Sequence, residues 1–416
     1  MKQRLKIIFL MMGVFSCNIF ALEINSKNLK SLLEQKNARI SASEMQVEAA
    51  KVREGVLARS FLPSVKLSAS QESFKTGIES YKTQPTYGVE GNINLFNGGR
   101  DKLESTIRSK NTELQLVQKD QVIYSELQKV RTIYWDIIYL INKKELFQSA
   151  IEINKSNAKS AQRRIKSGVA TETDRVEFEM EAINLQRELR AAELQLTNNI
   201  NSLMVVLNLD VSEKLEFPEK LIHDHEFESL MNHGVKDLEF AFKNSQLNSQ
   251  IHILQAEKEK RALWPKVDAF ASYNQYNQRE KDFQSNFDRD EYAIGIKLTV
   301  DLPSGIESNR EAASQSYQAN SAQTLADIQK REIATHIKNE MNELNFLHDQ
   351  VHDAEENIKR AEKYYQLTQS EYSRGVKNSL DVLGSSQRLY EMRHKKLEII
   401  RDFQLSKGHL LAQFGK

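Results

Sequence analysis

The sequence predicts an α+β protein in which very long helices alternate with short amphipathic strands, arranged as an internal two-fold repeat. Two separated segments each occur a second time: Phe61–Lys66 recurs as Leu263–Asp268, and Arg164–Asp174 recurs as Glu371–Asp381. A period of roughly 200 residues is far longer than that of a solenoid repeat. Each copy must therefore be a composite of helices and strands.

Two stretches without Gly or Pro, Arg100–Ser167 and Ile306–Arg374, predict the long helices. At about 1.5 Å per residue each would be on the order of 100 Å long. Apolar residues of the first alternate in steps of four and three, which indicates a coiled-coil seam; they are Ile123, Leu127, Val130, Tyr134, Ile137 and Ile141. Each run ends at a glycine, Gly168 or Gly375, the expected residue after a helix C-terminus. Since another helical segment follows, each copy contains a long helical hairpin.

Period-two alternation predicts four strands, two in each copy. The clearest runs cover Tyr87–Leu95 and Tyr292–Leu302, and their preceding partners are Val65–Ala69 and Val267–Tyr273. Such strands have one apolar and one polar face, as barrel strands in lipid do. Four strands cannot close a barrel, and an open sheet would leave unpaired edges in a membrane. We therefore predict oligomerisation, with three chains supplying twelve strands.

Prolines mark the predicted boundaries between these elements. Pro63 and Pro265 lie where a helix gives way to a strand, and Pro303 lies where a strand gives way to a helix. Pro85 is assigned to a loop and Pro218 to the linker between copies. All five are thus expected outside the helices, because proline removes a hydrogen bond from a helix interior.

The first 21 residues have the pattern of a secretory signal peptide. Basic residues precede an apolar stretch that is too short to span a bilayer, and Ile19–Ala21 is a plausible cleavage site. A competing interpretation takes Val14–Cys17 as a lipobox with a lipidated Cys17. We expect cleavage after Ala21, a first structural repeat over residues 22–217 and a second over residues 218–416.

The composition argues against several classes of function. Lys and Arg number 58 against 57 Asp and Glu, so no nucleic-acid partner is indicated. The single cysteine excludes an intrachain disulfide and a Cys-x-x-Cys site. Asn97–Arg100 lacks the Gly-Lys-Ser/Thr ending of a phosphate loop. Without a catalytic constellation, we expect no enzyme, no cofactor and no metal.

Two histidine motifs have spacings that could suit metal ligands. His348 and His352 lie four residues apart on one predicted helix face, as in a zinc site, but no third ligand is apparent in the nearby sequence. A solvated helix face is the preferred interpretation. His223–His225 lies in the predicted linker and is interpreted as a surface loop.

These features together resemble the TolC family of outer-membrane efflux proteins, over nearly the whole mature chain. The resemblance rests on the junction at Pro63, the Leu95–Arg100 turn with Gly98 and Gly99, and the two glycine-centred hairpin turns. It implies a trimeric twelve-stranded barrel in the outer membrane, continued by an α-helical coiled-coil tunnel across the periplasm. The second strand-to-helix turn departs from the pattern, because Pro303 and Gly305 stand there without paired glycines.

The resemblance also implies a gate at the periplasmic end of the tunnel. Carried over by position, Thr173 and Asp174 of the first turn face Tyr372 and Lys377 of the second. A tyrosine hydroxyl can donate to a carboxylate, and a lysine can bond a hydroxyl or a carbonyl. Asp381 matches the aspartate lining the narrowest ring. Gly384 stands where a second ring aspartate occurs in the family, so one anionic ring is expected.

The expected function is that of a passive exit duct in the outer membrane, extending into the periplasm. The resemblance implies partners: outer-membrane lipid, a periplasmic adaptor (membrane fusion) protein touching the turns at Gly168 and Gly375, and an inner-membrane efflux pump or ABC transporter. Efflux of toxic compounds and type I protein secretion both remain open. An exported coiled-coil structural or adhesion protein without a channel is the alternative, which the amphipathic strands disfavour.

Overall fold

The computed structural model describes residues 22–55, 57–74, 82–210, 212–223, 240–278, 287–300 and 302–413. Seven α-helices lie in these residues: α1 Leu29–Lys36, α2 Ala38–Glu54, α3 Arg100–Lys166, α4 Glu172–Val206, α5 Phe240–Lys260, α6 Leu302–Ser373 and α7 Ser379–Gln413. Six strands accompany them: β1 Leu22–Glu23, β2 Ser64–Phe74, β3 Lys82–Asn97, β4 Leu215–Glu216, β5 Lys266–Gln278 and β6 Phe287–Thr299.

The same order of elements occurs in both halves of the chain. Helix, strand, strand, very long helix and 35-residue helix follow one another as α2 to α4 and again as α5 to α7. The very long helices contain 67 residues in α3 and 72 in α6. The predicted long helical hairpins are confirmed. The boundary between copies at residue 217 stays a prediction.

The four long strands form one antiparallel sheet. Its order is β2-β3-β5-β6, so β2 and β6 are edge strands among the described residues. The register places Leu67, Val89, Tyr273 and Tyr292 in one row across the sheet, on the same face. The predicted number of four strands per chain is confirmed. A separate parallel pair joins β1 to β4.

The two faces of this sheet differ in chemistry. Because side chains alternate along a strand, one face of β6 presents large apolar groups while the other presents Gly295 and Lys297. The apolar side chains are exposed: Ile294 is 89 % accessible, and Tyr292, Ile296 and Leu298 are similarly open. The predicted amphipathic alternation is therefore confirmed, with its apolar face outside the protein core.

The chain divides into two compact units. The first comprises residues 1–38, 124–235 and 339–416. Its core uses the predicted coiled-coil seam of α3, where Leu127, Val130, Tyr134 and Ile137 are all buried. Buried residues of the neighbouring helices complete this core, among them Leu29, Leu33, Leu203, Leu207 and Phe403.

The second unit comprises residues 39–123 and 236–338 and contains the four-stranded sheet. Its helices share an apolar cluster formed by Ile107 and Leu114 of α3 with Leu247 and Ile251 of α5. Between α5 and α6, the hydroxyl of Ser249 donates to the carbonyl of Ala319 at 3.0 Å. These contacts hold together the helices that precede and follow the strands.

The structure corrects the assignment of Pro85 to a loop. Pro85 lies in β3 and is paired with Gln71 of β2. Pairing of β3 with β5 starts one residue later, at Thr86. Because Pro85 has no paired neighbour on β5 in the described part of the chain, its missing N–H leaves no gap in that ladder.

A second correction concerns the start of α6. The predicted strand Tyr292–Leu302 ends at Thr299, and Leu302 already begins the helix. Pro303 and Gly305 consequently lie inside the first helical turn, not before it. Proline fits there because the first N–H groups of a helix have no intrahelical acceptor.

None of the helices in the described part of the chain combines the length and the apolar composition needed to cross a bilayer.

Candidate functional site

The candidate site lies where the two helical hairpins turn, within the first compact unit. The first turn closes α3 onto α4: the N–H of Gly168 donates to the Ile165 carbonyl and that of Val169 to the Arg164 carbonyl, both at 3.0 Å. This is the Schellman arrangement. Gly168 has φ +72°, and a Cβ there would meet nothing within 4 Å. Glycine is therefore required for backbone conformation and not for space.

The second turn, between α6 and α7, repeats this geometry. The N–H of Gly375 donates to the Tyr372 carbonyl and that of Val376 to the Glu371 carbonyl, again at 3.0 Å. Gly375 has φ +81°. The expected glycine C-caps are confirmed as local structure, while the adaptor contact assigned to them stays a prediction.

Both helices that follow the turns begin with reciprocal capping. In α4 the N–H of Thr171 donates to Oδ2 of Asp174 at 2.8 Å, and a capping box is formed. In α7 the N–H of Asn378 donates to Asp381 at 3.1 Å, and the N–H of Asp381 donates to Asn378 Oδ1 at 2.9 Å. Each cap satisfies donors that a helix N-terminus leaves unpaired.

Asp381 has a cationic neighbour that the sequence did not indicate. Lys377 Nζ lies 3.6 Å from Oδ1 of Asp381, and the two side chains are 40 % and 36 % exposed. Lys377, which was expected to bond a hydroxyl or a carbonyl, thus pairs with Asp381, whose carboxylate was expected to line the narrowest ring. Gly384 lies on the exposed surface of the same helix, with nothing within 4 Å of its Cβ position.

Tyr372 is buried beneath the turns, with 5 % of its surface exposed. It packs in an apolar cluster with Ala158, Ala161, Phe178 and Val382. Its hydroxyl is buried and has no hydrogen-bond partner in the described chain. Burial raises the pKa of the phenol; Arg164 lowers it, and Asp174 and Glu177 raise it further. The hydroxyl is thus protonated at neutral pH and close to carboxylates without bonding them.

Two further contacts connect the hairpins. The guanidinium carbon of Arg164 lies 4.0 Å from the centroid of the Tyr372 ring, and Nη1 donates to the Tyr372 carbonyl. The Ser379 hydroxyl donates to Glu177 Oε2 at 2.7 Å. Sequence reasoning did not single out Arg164, Glu177 or Ser379. In the internal repeat, Arg164 aligns with Glu371, and Tyr372 aligns with Ile165. This difference between the two copies is the sequence signal that could have indicated the contact.

Asp174 accepts hydrogen bonds from the N–H of Thr171 at 2.8 Å and from the Thr171 hydroxyl at 3.0 Å. Burial acts to raise its pKa, but the nearby Ser379 and the hydrogen bonds from Thr171 outweigh burial and lower the pKa. Thr173 is exposed in the first turn of α4. Within the described residues of one chain, neither of the links predicted from Tyr372 and Lys377 to Asp174 and Thr173 is formed. Both links therefore stay predictions for an assembly of several chains.

At the predicted strand-to-helix junctions, Gly98 and Gly99 have φ +60° and +73°. A Cβ on Gly98 would lie 2.7 Å from Trp264 Cβ, so this close approach requires glycine. Pro63 and Pro265 each follow a short 3₁₀ helix and precede β2 and β5, as predicted.

His223 of the linker motif meets the histidine pair of α6, while Asp224 and His225 lie outside the described residues. Nδ1 of His348 lies 2.9 Å from Nε2 of His223, and the rings of His348 and His352 are 5.0 Å apart. The interpretation of His348 and His352 as a purely solvated face is therefore incomplete, because the linker crosses α6 there. Across the described ranges, no group of three or more His, Cys, Asp or Glu side chains is arranged to hold a metal ion.

Comparison with known proteins identifies the family. The family model for outer membrane efflux proteins matches residues 29–209 and 242–412, which is most of the chain. The chain belongs to the outer membrane efflux protein family. It is accordingly an outer membrane efflux protein, and the resemblance inferred from the turns and the duplication is confirmed.

Solved structures share the fold. The outer membrane protein VceC of Vibrio cholerae matches with a TM-score of 0.77 and 14% identity, covering 93% of this chain and 95% of VceC. The CmeC outer membrane channel of Campylobacter jejuni matches at 0.77 and 13%, covering 94% and 85%. The MtrE channel of Neisseria gonorrhoeae, solved in an open state, matches at 0.68 and 14%, covering 94% and 88%. No curated protein sequence matches the chain.

Proposed function

We propose that three copies of this chain form a passive exit duct, with twelve strands closed into a barrel in the outer membrane and the helical hairpins forming a periplasmic tunnel. The observation that carries the proposal is the open four-stranded sheet with edge strands β2 and β6. Its apolar face is exposed, with Leu67 and Ile294 open to the surroundings. Unpaired strand edges in lipid are costly, and pairing between neighbouring chains removes them.

The polar face of the sheet supports a water-filled lumen. Glu90, Asn92 and Asn94 of β3 alternate with the apolar positions, so they lie on the opposite face. In a closed barrel this face would line the interior while the apolar face contacts outer-membrane lipid. The conduit has no nucleotide-binding motif, in keeping with transport that is energised elsewhere.

The hairpin turns are proposed as the periplasmic aperture and the docking end. Threefold symmetry would bring three copies of Asp381 together in one ring, with Lys377 of each chain beside it. Apolar side chains are exposed near both turns, including Val169 and Val376. Such residues suit contact with a periplasmic adaptor protein at Gly168 and Gly375. An inner-membrane efflux pump or ABC transporter would then supply substrate and energy.

The cargo class is proposed to be small toxic compounds. The family description names efflux, which favours this cargo over a secreted protein. A type I secretion duct would use the same architecture and is the second candidate. The family consists of channels, so we propose no catalytic activity. The alternative of a channel-free structural or adhesion protein gains no support from the family or the sheet.

The test begins with deletion of the gene in its host. Increased sensitivity to a panel of dyes, detergents and antibiotics, restored by the wild-type gene, is the expected outcome. Loss of one protein from the exported proteome with unchanged sensitivity would instead indicate secretion. Recovery of the protein in the soluble periplasm after gentle lysis would contradict the barrel altogether.

A further inference from the structure

Arg164 takes part in both hairpin turns at once. Its carbonyl accepts the N–H of Val169 at 3.0 Å and so closes the first turn. Its guanidinium donates to the Tyr372 carbonyl, which also accepts the N–H of Gly375 in the second turn. The side chain of Arg164 therefore links the last turn of α3 to the end of α6.

The guanidinium is also held by stacking. Its central carbon lies 4.0 Å from the centroid of the Tyr372 ring, and Phe178 contacts the same ring edge-on at 6.4 Å between centroids. Arginine combines a planar cation with several fixed donors, so it can stack on a ring and bond a carbonyl together. Lysine could supply the charge and a hydrogen-bond donor for the carbonyl but not the planar contact with the ring.

The internal repeat does not reproduce this pair. The residue equivalent to Arg164 in the second copy is Glu371, and the residue equivalent to Tyr372 in the first copy is Ile165. A glutamate cannot donate to a carbonyl, and an isoleucine offers no ring. The contact therefore has one direction: the first hairpin supplies the arginine, and the second hairpin of the same chain supplies the tyrosine.

We propose that Arg164 is the positioning residue of the aperture, which keeps the second hairpin in its closed place through the ring and the carbonyl of Tyr372. The Tyr372 hydroxyl is not needed for this, since it has no partner in the described chain. Opening the aperture requires Arg164 to release Tyr372. The proposal rests on the proposed function, because it names what holds that duct closed.

The experiment uses the full-length trimer in planar bilayers and compares four variants with wild type. Arg164→Leu should raise single-channel conductance severalfold, and Arg164→Lys should lie between Leu and wild type. Tyr372→Phe keeps the ring and the carbonyl, so it should raise conductance less than Arg164→Leu does. Arg163→Leu is the matched control, because Arg163 is the adjacent, exposed arginine of the same helix.

Hydrogen exchange of the same samples provides a readout that does not depend on conduction. The amides of Gly375 and Val376 should exchange faster in Arg164→Leu and at the wild-type rate in Arg163→Leu. Wild-type conductance together with unchanged exchange in Arg164→Leu would overturn the proposal. Equal conductance gains in both Leu variants would do the same, because loss of charge alone would then explain them. A wild-type protein that does not conduct at all would refute the duct instead, while the exchange result would still decide the role of Arg164.

Discussion

Lys377 Nζ lies 3.6 Å from Oδ1 of Asp381, one helical turn further along the second hairpin. The carboxylate expected to form the narrowest ring is thus partly neutralised by a cation of its own chain. Lys377→Gln should strengthen the cation preference of the channel and its block by multivalent cations. Because both side chains are more than a third exposed, at 40 % and 36 %, stability should fall by only about 0.2–1 kcal/mol.

Reversal potentials in a salt gradient would measure this effect of Lys377→Gln. Arg374→Gln is the control, since it removes an exposed positive charge from the same turn. Equal shifts in both variants would mean that total charge at the turn, and not the contact with Asp381, sets selectivity.

Asp381→Asn should act in the opposite direction. It removes the proposed anionic ring, so cation preference and block by multivalent cations should both weaken. It also weakens the start of α7, because Asp381 loses the negative charge that a helix N-terminus favours, at a cost of about 0.3–1 kcal/mol. Bilayer recordings combined with thermal unfolding would separate the two effects. Unchanged selectivity with a lowered melting temperature would place the narrowest ring at another residue.

Gly384→Asp should add a second anionic ring. The Cβ position is open, so the side chain meets no steric obstacle in the chain. Cation preference should increase beyond wild type. Gly384→Ala, which should stabilise the helix by about 1 kcal/mol without adding charge, is the control. A selectivity change in the alanine variant would show that helix rigidity, not charge, is being measured.

Gly168→Ala should destabilise the first turn, whereas Gly384→Ala should stabilise its helix. With φ at +72°, an alanine would adopt a left-handed conformation that costs about 1–2 kcal/mol. We expect faster hydrogen exchange at the Val169 amide. Gly168→Asn should be milder, since asparagine tolerates this conformation better. Alanine and asparagine variants with equal exchange would argue that the turn adopts another backbone conformation.

The N-terminal turn of α4 should weaken in acid. The pKa of Asp174 is lowered in the folded chain, because the nearby Ser379 and the hydrogen bonds from Thr171 outweigh burial. This contribution to stability is present above the unfolded value of about 3.9 and is lost as the pH falls through the folded value. Protection factors of the turn amides, which correct the exchange rates for their intrinsic pH dependence, should fall from neutral pH downward in wild type but much less in Asp174→Asn. Asp349→Asn, an exposed aspartate away from the turns, should behave as wild type.

Much of the fold could be read from local rules. Gly168 and Gly375 marked the ends of the long helices, and the apolar spacing from Leu127 to Ile137 marked the buried seam. These features depend on neighbours in sequence. Pro85 and Pro303 were harder to place, because their tolerance depends on which side of a strand or which turn of a helix they occupy.

The chemistry of the site was less accessible to sequence reasoning. Asp174 and Asp381 were singled out by position, and the partners they bond lie only three or four residues away in sequence. Arg164 and Tyr372 are 208 residues apart, and no local sequence pattern predicts their contact. The contact between His223 of the linker and His348 of α6 likewise could not be predicted from neighbouring residues. Side-chain contacts between the two halves require the three-dimensional arrangement.

The central claim is that the open sheet closes only when three chains assemble. The most direct measurement is the mass of the detergent-extracted outer-membrane protein by native mass spectrometry after removal of the micelle. The account predicts a single species containing three chains, each no larger than 48.0 kDa. A stable monomer that conducts ions, or an assembly of two or four chains, would contradict it.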